Sequence, residues 1–300
     1  MENKLVSVIM SAYNAEKFIE KSIVSIVWQS YKPIEIVICD DGSTDNTASV
    51  IKKYGDSVRY IYQQNQGQGI GRNNAVTHSS GEYLAFIDAD DQWLPKKIEK
   101  QIEIFNNYPD TTAVYCDMQI INQKNETIGY QAKGKMRRGY IFDYLVRGNY
   151  VCGLSSLIVK REPFNNVGGF SDHRYCQDFV LLLKLAYDHL FNYCEEPLVL
   201  YLSHGDNITN NLDISFPETI GVYHNLHNTF QLSEEQILLS QKQLKRLYHS
   251  YAILHMRRNN FIKAKHILNE AEQYNLLFWK SRVLKLLNVT PINRFIYYFI

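Results

Sequence analysis

Cysteine is scarce and unpatterned in this chain. Cys39, Cys116, Cys152, Cys176 and Cys194 are odd in number, far apart and never in a C-x-x-C pair. That excludes a disulfide framework and a cysteine-based zinc site, and it fits a reducing compartment. Long hydrophobic runs are missing too. The apolar stretch Leu5 to Met10, interrupted by Ser7, is too short for a signal peptide or a membrane span, and no later segment reaches eighteen apolar residues. The expected location is therefore the cytoplasm. No sign of charge dominates either, with 32 Lys and Arg against 31 Asp and Glu. With no nucleic-acid-binding module in the sequence, no nucleic-acid partner is expected.

What is present is enough apolar material for a large core. Three hundred residues at 45% hydrophobic content suit one main domain with an accessory region. The charge is unevenly placed. Residues 241–300 carry eleven Lys or Arg and two acids, a net +9, which leaves −8 for the remainder. That basic stretch, with its aromatic ending FIYYFI, suits either an anionic membrane surface or solvated helix faces docking on an acidic body.

The first half alternates strand-like and helix-like stretches, as an α/β layer with a mostly parallel sheet requires. LVSVIM (5–10), IEIVIC (34–39), VRYIYQ (58–63) and YLAFI (83–87) read as strands. Between the first two, Phe18, Ile19, Ile23, Ile26 and Val27 recur at helical spacing. A second helix is expected over about 44–54. Further on, strands are expected at Thr112–Cys116, Ser155–Val159 and Leu198–Leu202, and a helix at Asp178–His189. From about 234 the pattern is helical, with Leu244, Leu247, Tyr248, Tyr251 and Leu254 on one stripe and Phe261, Ala264, Ile267, Leu268 and Ala271 on another. The expected domains are 1–230, with halves 1–110 and 111–230, and a helical extension over 231–300.

Polar residues gather where these strands end, the edge at which open α/β sheets bind ligands. Asp88, Asp90 and Asp91 follow the fourth strand within four positions. One of them could cap a helix near Pro95, but three adjacent acids call for a cation, and hard oxygen donors suit Mg²⁺ or Mn²⁺ bridged to a substrate phosphate. DDGSTDNT (40–47) offers a tight turn and a helix cap, and also two acids able to accept from ribose or base. The glycines of NQGQGIGRNNA (65–75) do not follow the first strand, so they are not a dinucleotide fingerprint; a flexible loop ending in Arg72 suits a nucleotide diphosphate.

In order, SVIMSAYN, CDDGSTDNT, GRNNA, GEYLAFIDADD and VGGF resemble the signatures of family 2 glycosyltransferases of the GT-A fold, over about residues 5–205. The resemblance implies an α/β GT-A domain with a mostly parallel central sheet. It also implies inverting transfer of a sugar from a nucleotide diphosphate, by family habit a UDP-sugar, with Mn²⁺ or Mg²⁺. The acceptor would be a glycan or lipid-linked hydroxyl in cell-surface polysaccharide or glycoconjugate synthesis, on the inner face of the cell membrane. Carried onto this chain, it places Ser11, Ala12 and Tyr13 at the base, Asp41 (less so Asp40) at base or ribose, and Arg72 (less so Asn73) facing the donor. Asp88 and Asp90, flanking Ala89, form the D-x-D pair, with Asp90 on the metal and Asp88 and Ala89 on the donor. Asp178 in RYCQDFVLLLK is the implied base, preceded by Gln177 where the family has an acid; an N-cap is the plainer role for it. His204 in LYLSHGDNIT is the implied metal or diphosphate histidine, although an Arg usual two residues earlier is missing. Gly168-Gly169-Phe170 would shape the acceptor pocket, and Trp93 is either near the acceptor or in the core. The rival readings are a silent nucleotide-sugar-binding scaffold, which need not keep the metal acids or base, and a nucleotidyltransferase, which normally has a Gly-rich basic loop after its first strand where this chain has SAYNAEKF.

Overall fold

The structure is a computed structural model describing residues 4–131, 136–148, 153–205, 207 and 211–276. The chain forms two compact units, Met1–Leu145 with Tyr150–Asn210, and Val146–Asn149 with Asn211–Ile300. In the first unit the strands are β1 (Val6–Ala12), β2 (Ile34–Asp40), β3 (Arg59–Tyr62), β4 (Tyr83–Phe86), β5 (Gln92–Trp93), β6 (Thr111–Ile121), β7 (Thr127–Tyr130), β8 (Ile158–Lys160) and β9 (Leu190–Leu202). The helices are α1 (Ile19–Val27), α2 (Thr47–Lys52), α3 (Gln68–Thr77), α4 (Lys97–Asn107), α5 (Phe142–Val146), α6 (Arg161–Asn166), α7 (Gln177–Asp188), α8 (Leu212–Thr229), α9 (Glu234–Arg257) and α10 (Phe261–Gln273).

One sheet runs β3-β2-β1-β4-β8-β6-β9-β5, with β7 on β6. Its first four strands are parallel, as the alternating pattern predicts, and so is the long β6–β9 pair; β8, β5 and β7 join antiparallel. β1 is buried along its whole length, so it reads as an unbroken apolar run. The register sets Ser11 beside Cys39 and Ala12 beside Asp40, and Ile9 beside Phe86. The carboxyl ends of β1, β2 and β4 therefore share one edge.

Several elements depart from the sequence pattern. β9 begins at Leu190 rather than Leu198, because Glu195 and Glu196 are accommodated by a register shift between Cys116 and Asp117 while the ladder continues on either side. Residues 154–156 form a single 3-10 turn before a three-residue β8. The expected loop ending in Arg72 is helical from Gln68. Its glycines serve close packing: a Cβ on Gly71 would lie 2.4 Å from Ser11 Oγ, and one on Gly69 would lie 2.4 Å from the Ser171 carbonyl.

The second unit is helical, and α8, with Pro217 inside it, was not legible in the pattern. Ser233 starts α9 with a capping box, accepting from Gln236 N at 3.2 Å while Gln236 Oε1 accepts from Ser233 N at 3.0 Å. Tyr248 of α9 donates to Glu270 of α10 at 2.9 Å and lies 2.9 Å from His224 Nε2 of α8. Of the basic stretch 241–300, residues 277–300 lie outside the described residues. Within the rest, Arg258 and Lys263 pair with Asp213 at 2.7 and 3.3 Å. Among the described residues no helix is long and apolar enough to cross a membrane.

Candidate active site

At the carboxyl edge of β1 and β4 lies a cleft of about 550 Å³, lined by Ser11, Tyr13, Asp88, Ala89, Asp90 and His204 among the expected residues. That volume lies within the roughly 300–1,000 Å³ usual for small-molecule sites. Asn14, Glu16, Lys17, Phe18, Gln68, Tyr201 and Asn207 also line it, and none of these stands out in the sequence. Gln68 lies within the glycine run, between Gly67 and Gly69, and Asn207 three residues past His204, positions that carry no sequence signal of their own.

The three acids after β4 have three different environments. Asp91 is 1% exposed and accepts from Ser155 Oγ at 2.5 Å and Leu202 N at 3.3 Å. Burial first, then the charges of Asp90 and Asp88, push its carboxyl well above the usual range. Ser155 in turn accepts from Asp88 N at 3.0 Å, so one hydroxyl joins Asp91 to the loop that carries the D-x-D pair. None of the three acids caps a helix, for α4 starts after Lys96 with no side-chain cap. Trp93 is core, donating from Nε1 to the Ser155 carbonyl at 2.7 Å.

Asp90 Oδ2 lies 2.9 Å from His204 Nε2, and the imidazole stacks on Phe18 with centroids 4.5 Å apart. Asn207 Oδ1 accepts from His204 N at 2.6 Å and holds the turn. Burial and the Asp88 charge raise the Asp90 carboxyl, partly offset by His204. A cation would relieve this strain, and one carboxylate plus one imidazole is a donor set that Mn²⁺ or Mg²⁺ accepts when substrate phosphate and water complete the shell. Among the described residues no group of three or more His, Cys, Asp or Glu side chains is arranged around a metal position, so the fit is that of a two-ligand site.

Asp88 pairs with Arg72 Nη2 at 2.5 Å. Arg72 is 2% exposed, lies 5.5 Å from the Phe170 ring centroid, and keeps Nε and Nη1 without hydrogen-bond partners. It does not line the cleft; it orients Asp88, which does. Gln68 Oε1 accepts from Arg72 Nη2 at 3.1 Å and from Gln177 Nε2 at 3.3 Å. A chain of polar contacts thus runs from the first acid of the D-x-D pair to the start of α7. Asp178 is the next residue, inside the first turn of α7 rather than at its N-cap, which is Cys176; its Oδ1 accepts from Phe179 N at 2.7 Å. Asp178 lies outside the cleft lining.

Asp41 is fully engaged within the protein. Oδ1 accepts from Gln63 Nε2 at 2.7 Å and Gln66 N at 2.9 Å, and Oδ2 accepts from Gly67 N at 2.8 Å. A base or ribose at Asp41 would therefore replace or share one of these bonds. Asp40 similarly accepts from Ser43 N and Tyr60 OH, at 2.8 and 2.9 Å. Ala12 closes β1, its carbonyl accepting from Asp41 N at 2.8 Å. Asn73 bonds both backbone groups of Phe170, at 2.9 and 3.0 Å, and so pins the Gly168-Gly169 turn, whose residues have φ of +79° and +66°.

Residues 7–168 match the family described as Glycosyl transferase family 2. The chain is 38% identical over 195 residues to the Escherichia coli protein named UDP-Glc:alpha-D-GlcNAc-diphosphoundecaprenol beta-1,3-glucosyltransferase WfgD, covering 63% of this chain and 72% of that one. Among solved structures, it resembles Staphylococcus aureus TarS 1-349 in complex with UDP-GlcNAc, with a TM-score of 0.70, 16% identity, and 94% of this chain and 88% of that chain covered. It also resembles the mannosyltransferase PcManGT from Pyrobaculum calidifontis in complex with GDP-Man and Mn²⁺, with a TM-score of 0.63, 14% identity, and coverages of 96% and 85%. At these identities the structural likeness establishes the GT-A fold. The chain belongs to glycosyl transferase family 2 and is a glycosyltransferase.

Proposed function

We propose that this glycosyltransferase moves a sugar, with inversion, from a nucleotide diphosphate donor, a UDP-sugar by preference, to a hydroxyl of a glycan or lipid-linked acceptor in cell-surface polysaccharide synthesis. The carrying observation is the cleft that brings Ser11, Tyr13, Asp88, Asp90 and His204 to one edge of the parallel strands. The nucleotide sugars bound by TarS and PcManGT, and the donor and acceptor in the name of the Escherichia coli relative, support the substrate class.

The proposed roles combine the family resemblance with the contacts each residue makes. Tyr13 is 47% exposed at the mouth and offers a face for stacking a base. Ser11 and Ala12 set the floor of that subsite, and Asp41 holds the 63–67 loop beside it. Asp88, oriented by Arg72, accepts from the donor, with Ala89 allowing close approach. Asp90 and His204 would hold the divalent cation, Mn²⁺ or Mg²⁺, which when bound neutralises charge on the leaving diphosphate. Asp178 takes the proton of the acceptor hydroxyl as that oxygen attacks the anomeric carbon from the face opposite the diphosphate. The Gln68–Gln177 contact fixes the start of α7, and with it Asp178, relative to the donor side.

The test separates binding from chemistry. Asp178→Asn should bind UDP with wild-type affinity by calorimetry while release of UDP from a UDP-sugar in the presence of acceptor falls on the order of 100-fold or more. Turnover comparable with wild type would assign the base elsewhere.

A further inference from the structure

The outer face of α1 is built against the usual rule for a surface helix. Ile19, Ile23 and Ile26 are buried on the sheet, so the opposite face should be polar. At about 100° per residue, Lys21, Val24 and Trp28 fall within about 60° of one another, directly opposite those isoleucines. On that strip Trp28 is 74% exposed and Val24 41%, while Val27, 40% exposed, lies about 100° round the helix from Trp28. This apolar strip is bordered by cations. Lys17 and Lys21 have no ion-pair partner among the described residues, and Lys32 Nζ reaches the Val27 carbonyl at 3.4 Å. Glu20 lines this side and Glu99 accepts from Ser30 Oγ at its far end, whereas Glu16 turns to α2 and accepts from Asn46 N and Nδ2 at 2.9 Å.

The strip is continuous with the donor cleft. A cavity of about 350 Å³ shares Lys17, Phe18 and Asp90 with that cleft. A shallower groove of about 290 Å³, lined by Glu20, Lys21, Val24, Ser25, Trp28 and Gln92, shares Lys21 and Gln92 with the cavity.

We infer that the outer face of α1 is a membrane-docking surface that seats on an anionic bilayer, with Trp28 and Val24 entering the headgroup region and Lys17, Lys21 and Lys32 meeting lipid phosphates. Three observations favour a bilayer over a protein. Tryptophan beside lysine is the pairing that settles at a membrane–water interface. Lys17 and Lys21, which have no ion-pair partner among the described residues, complement a negative surface. The groove on this face is lined by six residues, far short of the roughly 20–30 residues a side of a stable protein interface. Seating α1 in this way brings the mouth of the cleft to the bilayer surface. The surface does not depend on the donor assignment, because vesicle binding requires no nucleotide.

The test is sedimentation of the full chain with phosphatidylcholine vesicles with and without phosphatidylglycerol. The wild type should bind the anionic vesicles more strongly. Trp28→Ser combined with Val24→Ser should lower partitioning at least about tenfold, with the melting temperature and UDP affinity unchanged. Lys21→Gln should cost about fivefold on anionic vesicles alone. No sedimentation of the wild type would overturn the inference. So would equal binding by the Trp28/Val24 variant, which would move the contact to another surface such as 241–300. A wild-type dimer that the variant dissociates, without vesicle binding, would assign the face to a second copy and also overturn it.

Discussion

Replacing Gly69 by alanine tests how tightly the start of α3 must pack. An ideal Cβ there would lie 2.4 Å from the Ser171 carbonyl oxygen, 2.9 Å from Gln177 Oε1 and 3.4 Å from Gln177 Cβ, where ordinary contact begins at 3.4 Å. The Ser171 oxygen is backbone and cannot rotate away, so α3 and the segment before α7 must separate by about 1 Å. Overpacking of this kind costs about 1–3 kcal/mol, and the gain in helix propensity returns at most about 1 kcal/mol. With that gain realised in full, the net loss of up to about 2 kcal/mol should lower the melting temperature by up to about 8 °C at roughly 2–4 °C per kcal/mol. The same displacement stretches the Gln68–Gln177 bond, already 3.3 Å, and moves Asp178. A misplacement of about 1 Å can cost on the order of 100-fold in turnover. Gly71→Ala should be milder, because its 2.4 Å contact is with the Ser11 hydroxyl, which can rotate and leave Ser11 Cβ at 3.2 Å. Thermal melts and rates of UDP release from a UDP-sugar would read both effects. A Gly69→Ala protein that melts and turns over like the wild type, or one less affected than Gly71→Ala, would refute the packing argument.

Other changes have different signatures. Gly221 lies within α8 with nothing inside 4 Å of an added Cβ, so Gly221→Ala should stabilise the helical unit by about 0.5–1 kcal/mol in denaturant melts. Ser155→Ala leaves the buried Asp91 carboxyl one donor short and should cost about 1–3 kcal/mol, with weaker UDP binding because Asp88 N also loses its acceptor. Burial lowers the pKa of both His224 and His255, in His255 with help from Lys263 and in His224 against the opposing charge of Glu270. The unfolded chain then takes up protons below about pH 6.5 that the folded chain refuses, so stability is full above that pH and declines as pH falls towards the folded values. Melting temperatures should drop between pH 7.5 and 5.5, and replacing both histidines with apolar residues should flatten that drop.

The parallel half of the fold was legible because buried parallel strands are unbroken apolar runs and their polar ends announce themselves. β9 was half hidden because Glu195-Glu196-Pro197 interrupts the run, and only the partner strand reveals that these residues sit at a register shift. α8 was hidden because Pro217 and scattered polar residues blur its period. At the site, sequence distinguished acids from neighbours but not one acid from another. Asp90 faces His204 across 114 positions, Asp91 is buried against Ser155, and Asp41 serves the 63–67 loop. Arg72 was expected to face the donor from a loop, whereas the glycines before it draw its helix onto β1 and turn it inward to Asp88. Such distinctions depend on contacts made by residues far apart in the chain.

Asp90, beside His204, is proposed to hold a divalent cation against the donor diphosphate. Calorimetric titration of UDP into the wild type and Asp90→Asn, each with and without Mn²⁺, tests it directly. Mn²⁺ should tighten UDP binding in the wild type by at least about tenfold and have no such effect in Asp90→Asn. Metal-independent affinity in the wild type, or an undiminished Mn²⁺ effect in the variant, would contradict it.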